Sequence, residues 1–433
     1  MKKAIILTYY WPPGSGPGVQ RWLKFCKYLP EFDWQPTVIT VKNGSYPYTD
    51  ETLIRDVPAS LDVIKTETFE PFALYNLLRG KKGKSVEVGM GNLKGNQGLF
   101  AKIASYIRAN YFIPDARVGW NKYALIAAER AIKKSRPDVI ITTGPPHSTH
   151  LIGKKLKEIY GIPWLADFRD PWTTIYYNEF LNRTKSSTER DKNLETSVLK
   201  ECDLAMVASP GLAKEFETRA ENLVFIPNGY DENDFKNQIT QKADKKIRLS
   251  YIGNFKANQN NPTLWKAVAE CINEIADATN FILCITGNVH AQVKEDITNA
   301  GIDAHVEYSP FVDHQKAVSL MQESDALLLP IPQSPGSELI LTGKIFEYLA
   351  TERPILSIGP TKGNAASILT DMGHEPMLDR DDLAGMKNSI SSIIQTAINT
   401  QALQKVGNGK YEIYSRKGLS KQLADTLNSL PNG

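Results

Sequence analysis

The sequence has no apolar run of the roughly 18 residues that a membrane-spanning helix needs. It has no CxxC pair and no HExxH: Cys26, Cys202, Cys271 and Cys284 lie far apart, and the six histidines show no zinc spacing. That excludes a disulfide scaffold and a zinc module, and fits reduced, buried thiols in a cytoplasmic protein. Charge excess is also missing. Lys and Arg number 51 against 48 Asp and Glu, a net +3, without the strongly basic footprint of a nucleic-acid binder. Met1-Lys2-Lys3 opens like a signal peptide, but the apolar stretch ends by Tyr9-Tyr10-Trp11-Pro12-Pro13. That is too early for a secretory h-region and lacks a small-residue cleavage site, so a buried first strand is expected. No short-period repeat points to a solenoid. What is present is ordinary globular composition, 42% hydrophobic and 23% charged over 433 residues, enough chain for two or three domains.

Val/Ile/Leu-rich runs flanked by Gly, Pro or Asn alternate with helical patterns. Strands are expected at 3–7, 37–40, 138–142, 164–167, 204–208 and 223–226, with helices at 19–29, 122–135, 148–160 and 211–218. A second series places strands at 247–252, 281–286, 305–308, 326–329 and 355–358. Its helices fall at 263–275, 290–300, 315–323, 343–350 and 382–398. Strands this apolar are buried on both faces, and βα alternation implies parallel sheets with right-handed crossovers. The fold class is therefore α/β with two doubly wound domains. The polar stretch 231–246, after the turn signal Pro227-Asn228-Gly229, marks the break. Residues 1–235 form the first domain and 245–409 the second, with a final segment at 410–433. One stretch breaks the alternation: 80–98 holds six glycines with Lys81, Lys82, Lys84 and Lys94. It reads either as a solvated loop or, beside the amphipathic run 99–104, as a basic element for a membrane surface.

Chemistry is expected at the carboxyl ends of the strands, where open α/β sheets bind ligands. After strand one, the loop holding Gly14, Gly16 and Gly18 opens a helix bearing Arg21. Glycines there let backbone approach a phosphate, although the same turn is common for packing alone. It is not GxGxxG, and strand two ends at Thr40-Val41-Lys42 without an acidic residue, which disfavours a nicotinamide enzyme. His147 starts another helix and either handles a sugar hydroxyl or proton or is an ordinary helix-start side chain. Asp167, Arg169 and Asp170 end the next strand and either hold their loop or face substrate. In the second half, Gly253, Asn254 and Lys256 follow a strand, and Phe311 and Val312 follow another. The longest signal runs from Pro335 to Ala350. Its helix start at Thr342 and Gly343, with Lys344, suits a pyrophosphate, and Glu347 one turn on suits a ribose diol; otherwise Glu347 pairs on a helix surface. Asp381-Asp382 reads as a helix cap, not a metal-binding DxD.

Together, Gly14–Gly18, Ile226-Pro227-Asn228-Gly229-Tyr230, Ser250-Tyr251-Ile252-Gly253 and Lys344-Ile345-Phe346-Glu347-Tyr348-Leu349-Ala350 with Arg353-Pro354-Ile355 resemble the retaining GT-B glycosyltransferases of family four. Asp167-Phe168-Arg169-Asp170-Pro171-Trp172 resembles a bacterial surface-polysaccharide branch of that family. The resemblance implies two Rossmann-like domains facing a central cleft, the second holding a nucleotide-sugar donor. It implies Glu347 as the ribose ligand, Phe311 and Val312 beside the base, and Lys256 on the phosphates. Leu339 stands where the first glutamate of the E-x7-E motif belongs, with Glu338 one position away. The last helix would return to the first domain. The implied reaction is retaining sugar transfer without a metal or other cofactor, onto a glycan or lipid-linked acceptor, in the cytoplasm or peripherally on the inner membrane face. Acceptor contacts would come from Arg21, His147, Asp167, Arg169 and Asp170, with His147 or Asp167 as base if the enzyme inverts. Catalytic candidates are therefore His147, Asp167, Lys256 and Glu338. Donor-binding candidates are Gly16, Gly18, Gly253, Asn254, Lys256, Phe311, Val312, Thr342, Gly343, Lys344 and Glu347. Two alternatives stay open: a non-catalytic nucleotide-sugar-binding scaffold and a sugar-nucleotide epimerase.

Overall fold

Residues 1–46, 49–69, 99–175, 178, 181–236, 239, 244–275, 280–400 and 402–431 are described by a computed structural model. The basic stretch 80–98 lies outside them. The chain divides into two compact units, Met1–Pro227 with Leu419–Gly433, and Asn228–Gly418. The division falls after Pro227, inside the Pro-Asn-Gly turn signal, so the polar stretch after it joins the second unit instead of linking the two. Of the final segment, only residues from Leu419 onward join the first unit.

The first unit is built on a seven-stranded sheet ordered β3-β2-β1-β4-β5-β6-β7. Its strands are β1 (Lys2–Leu7), β2 (Trp34–Val41), β3 (Asp62–Thr66), β4 (Val139–Gly144), β5 (Trp164–Phe168), β6 (Leu204–Val207) and β7 (Leu223–Phe225). All pairs are parallel. β4 and β5 are buried at every residue, which is why they read as unbroken apolar runs. The helices are α1 (Pro17–Tyr28), α2 (Leu99–Tyr111), α3 (Asn121–Lys134), α4 (Ser148–Tyr160), α5 (Lys185–Glu201) and α6 (Pro210–Phe216). Cores lie on both faces of the sheet. One of them takes Leu419, Leu423, Ala424 and Leu427 from the end of the chain beside Ala4 and Ile6. Each such leucine contributes roughly 1.5–3 kcal/mol of burial, which holds the last segment on the first unit.

The second unit has a five-stranded parallel sheet ordered β10-β9-β8-β11-β12. Its strands are β8 (Ile247–Ile252), β9 (Phe281–Thr286), β10 (Val306–Ser309), β11 (Ala326–Pro330) and β12 (Ile355–Ile358). The helices are α7 (Pro262–Glu274), α8 (Ala291–Asn299), α9 (His314–Gln322), α10 (Lys344–Thr351), α11 (Asn364–Asp371), α12 (Leu383–Asn399) and α13 (Arg416–Asn428), the last continuing into the first unit. Asp382 caps α12 by accepting the Gly385 N–H at 2.8 Å, as its place before the helix predicts. Both sheets reverse order beside their first strand, between β1 and β4 and between β8 and β11. Those reversals are the switch points where doubly wound sheets bind ligands. No helix among the described residues is long and apolar enough to cross a membrane.

Candidate functional site

The switch point of the second unit gathers most of the donor-side residues. β8 ends at Ile252, and Gly253 turns the chain at φ 125°, a value that strains any residue with a side chain. A Cβ there would also lie 2.6 Å from the Lys344 Nζ. Lys344, the first residue of α10, donates to the Tyr251 hydroxyl at 2.8 Å, and its Nζ stands 3.9 Å from the centre of the Tyr251 ring. Burial brings its ammonium down to about 7, Glu347 opposing and Lys256 adding to the fall. The Tyr251 hydroxyl in turn donates to the Asn254 carbonyl at 2.8 Å. The Gln259 side chain accepts the Lys256 N–H at 3.1 Å and donates to Pro330 O at 3.0 Å, tying the loop after β8 to the end of β11. Just before α10, the buried Thr342 hydroxyl finds no hydrogen-bond partner among the described residues. Gly343 precedes the helix as its N-cap.

Glu347 lies one turn into α10, half-buried. Burial pushes its carboxyl up, and His314 and Arg416 pull it back down. His314, the first residue of α9, pairs with Asp234 at 3.1 Å. This ring of Asp234, His314 and Arg416 around Glu347 escaped the sequence, because its members are dispersed along the chain and none stands in a motif. Lys256 is exposed on the same loop as Asn254. Phe311 is 61% exposed after β10, with Val312 partly covered. An aromatic face that open is available to stack a base. Glu338 is exposed and makes no side-chain bond among the described residues. Its backbone packs on Gly363, while Leu339 offers its carbonyl to Asn364 at 3.1 Å.

In the first unit the geometry corrects two expectations. Arg21 and Asp167, taken for the acceptor side, are both wholly buried and paired at 3.1 Å. Asp167 also accepts from the Trp22 indole at 2.6 Å and the Thr143 hydroxyl at 2.8 Å. Arg21 donates further to the carbonyls of Ile226 and Pro227, both at 2.8 Å. The pair fastens α1 to β5 and to the chain after β7; neither side chain reaches solvent, so Asp167 is not placed to serve as a base. His147 is buried as well, stacked on Trp172 with centres 5.0 Å apart and planes within 6°. Burial, and then the nearby Arg169, hold its imidazole down to about 3, against an opposing contribution from the Pro171 carbonyl. Neither ring nitrogen has a hydrogen-bond partner of normal geometry among the described residues. His150, packed on Phe168 with centres 4.5 Å apart, is likewise held neutral.

The groups left at the carboxyl ends of this sheet are Arg169, half-buried, and Asp170, exposed. Arg169 donates to the Thr143 hydroxyl at 3.2 Å and to the Pro145 carbonyl. A Cβ at Gly18 would overlap the Arg169 guanidinium, which would then have to move. Gly16, at φ 118°, has open space where its side chain would be. The following loop is tied down by two residues the sequence reading missed. Asp191 accepts from the Trp172 indole at 2.8 Å and pairs with Arg183. Glu195 accepts from the Thr173 hydroxyl at 2.7 Å and pairs with Arg219 at 2.8 Å.

Residues 232–335, which include Asp234, Gly253, Lys256, Phe311 and His314, match the family described as Glycosyl transferases group 1. No curated protein sequence matches the chain significantly. Among solved structures, the chain is similar to a sucrose-phosphate synthase from Thermosynechococcus elongatus, at 13% identity over 99% of each chain and a TM-score of 0.65. It is similar to a TarM mutant from S. aureus in complex with Fondaparinux, alpha-GlcNAc-glycerol and UDP, at 10% identity over 99% of this chain and 100% of that one, TM-score 0.59. A third is the N-terminal domain of trehalose-6-phosphate phosphatase from Candida albicans, at 12% identity over 99% and 97%, TM-score 0.55. At such identities the likeness establishes the fold, two Rossmann-like parallel-sheet domains of the GT-B kind. With the group 1 match in the unit that holds the Lys344 site, the chain is an enzyme of the glycosyltransferase class.

Proposed function

We propose that the protein moves a sugar from a nucleoside-diphosphate donor to a glycan or lipid-linked acceptor in the assembly of a cell-surface polysaccharide, with retention of configuration and without a metal. The observation that carries this is the constellation at the β8/β11 switch point. There Lys344 rests over the Gly253 turn, the Thr342 hydroxyl is unpartnered, and Glu347 follows one turn along the same helix. The diphosphate is assigned to the Lys344 ammonium, the Thr342 hydroxyl and the amides at the start of α10, with Lys256 adding charge. Glu347 takes the ribose hydroxyls and Phe311 with Val312 borders the base. Glu338 is the carboxylate nearest in sequence to the missing glutamate and is assigned to the donor sugar. The S. aureus TarM complex, similar in fold, holds UDP.

In the reaction the bond between the anomeric carbon and the phosphate oxygen breaks. Positive charge spreads over the sugar ring, and negative charge grows on the leaving diphosphate. Lys344, Lys256 and the helix amides stabilise that growing charge more than the ground state, which is what lowers the barrier. An acceptor hydroxyl attacks the anomeric carbon, and its proton passes to the departing phosphate oxygen. This route needs no protein base, in keeping with the closed Asp167 and the buried, neutral His147. Arg169 and Asp170 are the first-unit groups assigned to the acceptor. The lysine-rich stretch 80–98 supports an acceptor at the inner membrane face.

The test is turnover of a nucleotide-sugar panel with and without a lipid and glycan extract. Nucleoside diphosphate released only with the extract, at a rate unchanged by EDTA, supports the proposal. Interconversion of donors without acceptor would instead indicate an epimerase, and donor binding without turnover a scaffold.

A further inference from the structure

The Lys344 ammonium is held in an unusual way. Among the described residues, one of its three N–H donors reaches an acceptor, the Tyr251 hydroxyl at 2.8 Å, while the Tyr251 ring lies 3.9 Å beneath the nitrogen. No carboxylate pairs with Lys344 among the described residues. The charged groups that face it are Glu347 on its own helix and Lys256 from the loop after β8, with opposite effects. A half-buried cation with no paired carboxylate among the described residues is short of negative charge, and the Thr342 hydroxyl two residues earlier in the chain is short of a hydrogen-bond partner there. A diphosphate supplies both.

We propose that Tyr251 is a positioning residue for the donor: it fixes Lys344 over the Gly253 turn with two N–H donors free for the diphosphate. The proposal rests on the donor-site reading above. The Tyr251 hydroxyl is itself anchored, donating to the Asn254 carbonyl at 2.8 Å, so the ammonium is registered to the loop that the phosphates would meet. A proton count gives this arrangement a readout, because burial brings free Lys344 to about 7. At pH 8 the free side chain is mostly neutral. A bound diphosphate favours the ammonium and raises its proton affinity, so binding takes up most of a proton at that pH. Donor affinity therefore falls as pH climbs above about 7.

The experiment is isothermal titration calorimetry of the full chain with UDP, ADP and GDP at pH 8 and pH 7, in buffers of differing ionisation enthalpy. At pH 8 the terminal phosphate of the probe is already ionised, so proton uptake reports the protein. The wild type is expected to take up close to one proton at pH 8 and about half at pH 7. Lys344→Arg, which cannot deprotonate, should still bind but without uptake. Tyr251→Phe removes the acceptor of the ammonium and should weaken binding about tenfold. It should also raise the uptake at pH 7 towards one proton, a change that a merely structural tyrosine would not produce. Binding without uptake by the wild type, or equal uptake by Lys344→Arg, would overturn the proton coupling while leaving the donor site standing. Unchanged affinity and proton count in Tyr251→Phe would overturn the positioning role. No binding of any of the three diphosphates to the wild type would overturn the donor-site reading and this proposal with it.

Discussion

Asp167 accepts from Arg21, Trp22 and Thr143 in a site closed to solvent. Replacing it leaves the buried Arg21 guanidinium without its counter-charge. Asp167→Asn is therefore predicted to lower stability by about 3–5 kcal/mol, read as a lower urea midpoint of the first unit; an unchanged midpoint would contradict the assignment. His147 and His150 make a second prediction. Both are neutral in the folded protein, His147 with its pKa down to about 3, whereas an unfolded histidine titrates near 6.5. Between those values the unfolded chain binds more protons, so stability falls as pH drops below about 6.5, by up to about 1.4 kcal/mol per pH unit for each ring. Urea unfolding at pH 7 and pH 5 measures this, and His147→Asn with His150→Asn should flatten the slope. The residue types at these positions were legible in the sequence, but their environments were not. Asp167 meets Arg21 and Trp22 across 146 and 145 residues. Nothing local distinguishes a strand-end carboxylate that faces ligand from one that turns into the core. The places of Lys344 and Glu347 were easier to read, because both stand in the first turn of a helix whose start the sequence marks.

At the scale of elements, strands announced themselves wherever both faces are buried. β4 and β5 are examples, while β3, with no fully buried residue, was missed at the edge of the sheet. α5 was missed for a different reason. Its buried face carries Ser187, Asp191 and Glu195 before it reaches Val198 and Leu199. The stripe that normally marks a helix is polar there, because it anchors the Trp172 and Thr173 loop rather than packing on the sheet. The glycine loop was legible as a place of close approach, and the side chain found against Gly18 is that of Arg169. Gly18→Ala must push that guanidinium aside, and a displaced side chain at the face proposed for the acceptor is expected to cost roughly tenfold or more in turnover. Arg169→Ala should cost a similar amount, and the double variant little beyond either single one. Additive losses in that cycle would show that Gly18 acts by another route.

At the scale of the molecule, βα alternation repeated in two series was enough to read two doubly wound units, because a parallel sheet leaves few other ways to connect its strands. The boundary was less legible. A polar stretch looks like a linker whether it joins units or belongs to one, and here Asp231 and Phe235 are buried within the second unit. That same unit holds every group assigned to the donor's diphosphate and ribose, so donor binding is the claim on which the functional account turns. The most direct measurement is a binding screen of the purified chain, wild type and Glu347→Ala, against nucleoside diphosphates and their common sugar conjugates. The account predicts that one nucleoside binds as its diphosphate and its sugar conjugate, and that Glu347→Ala, losing a charge-assisted contact to the ribose, weakens both by about tenfold or more. Binding that Glu347→Ala leaves intact, or no binding to any member of the panel, would contradict a nucleotide-sugar site at α10.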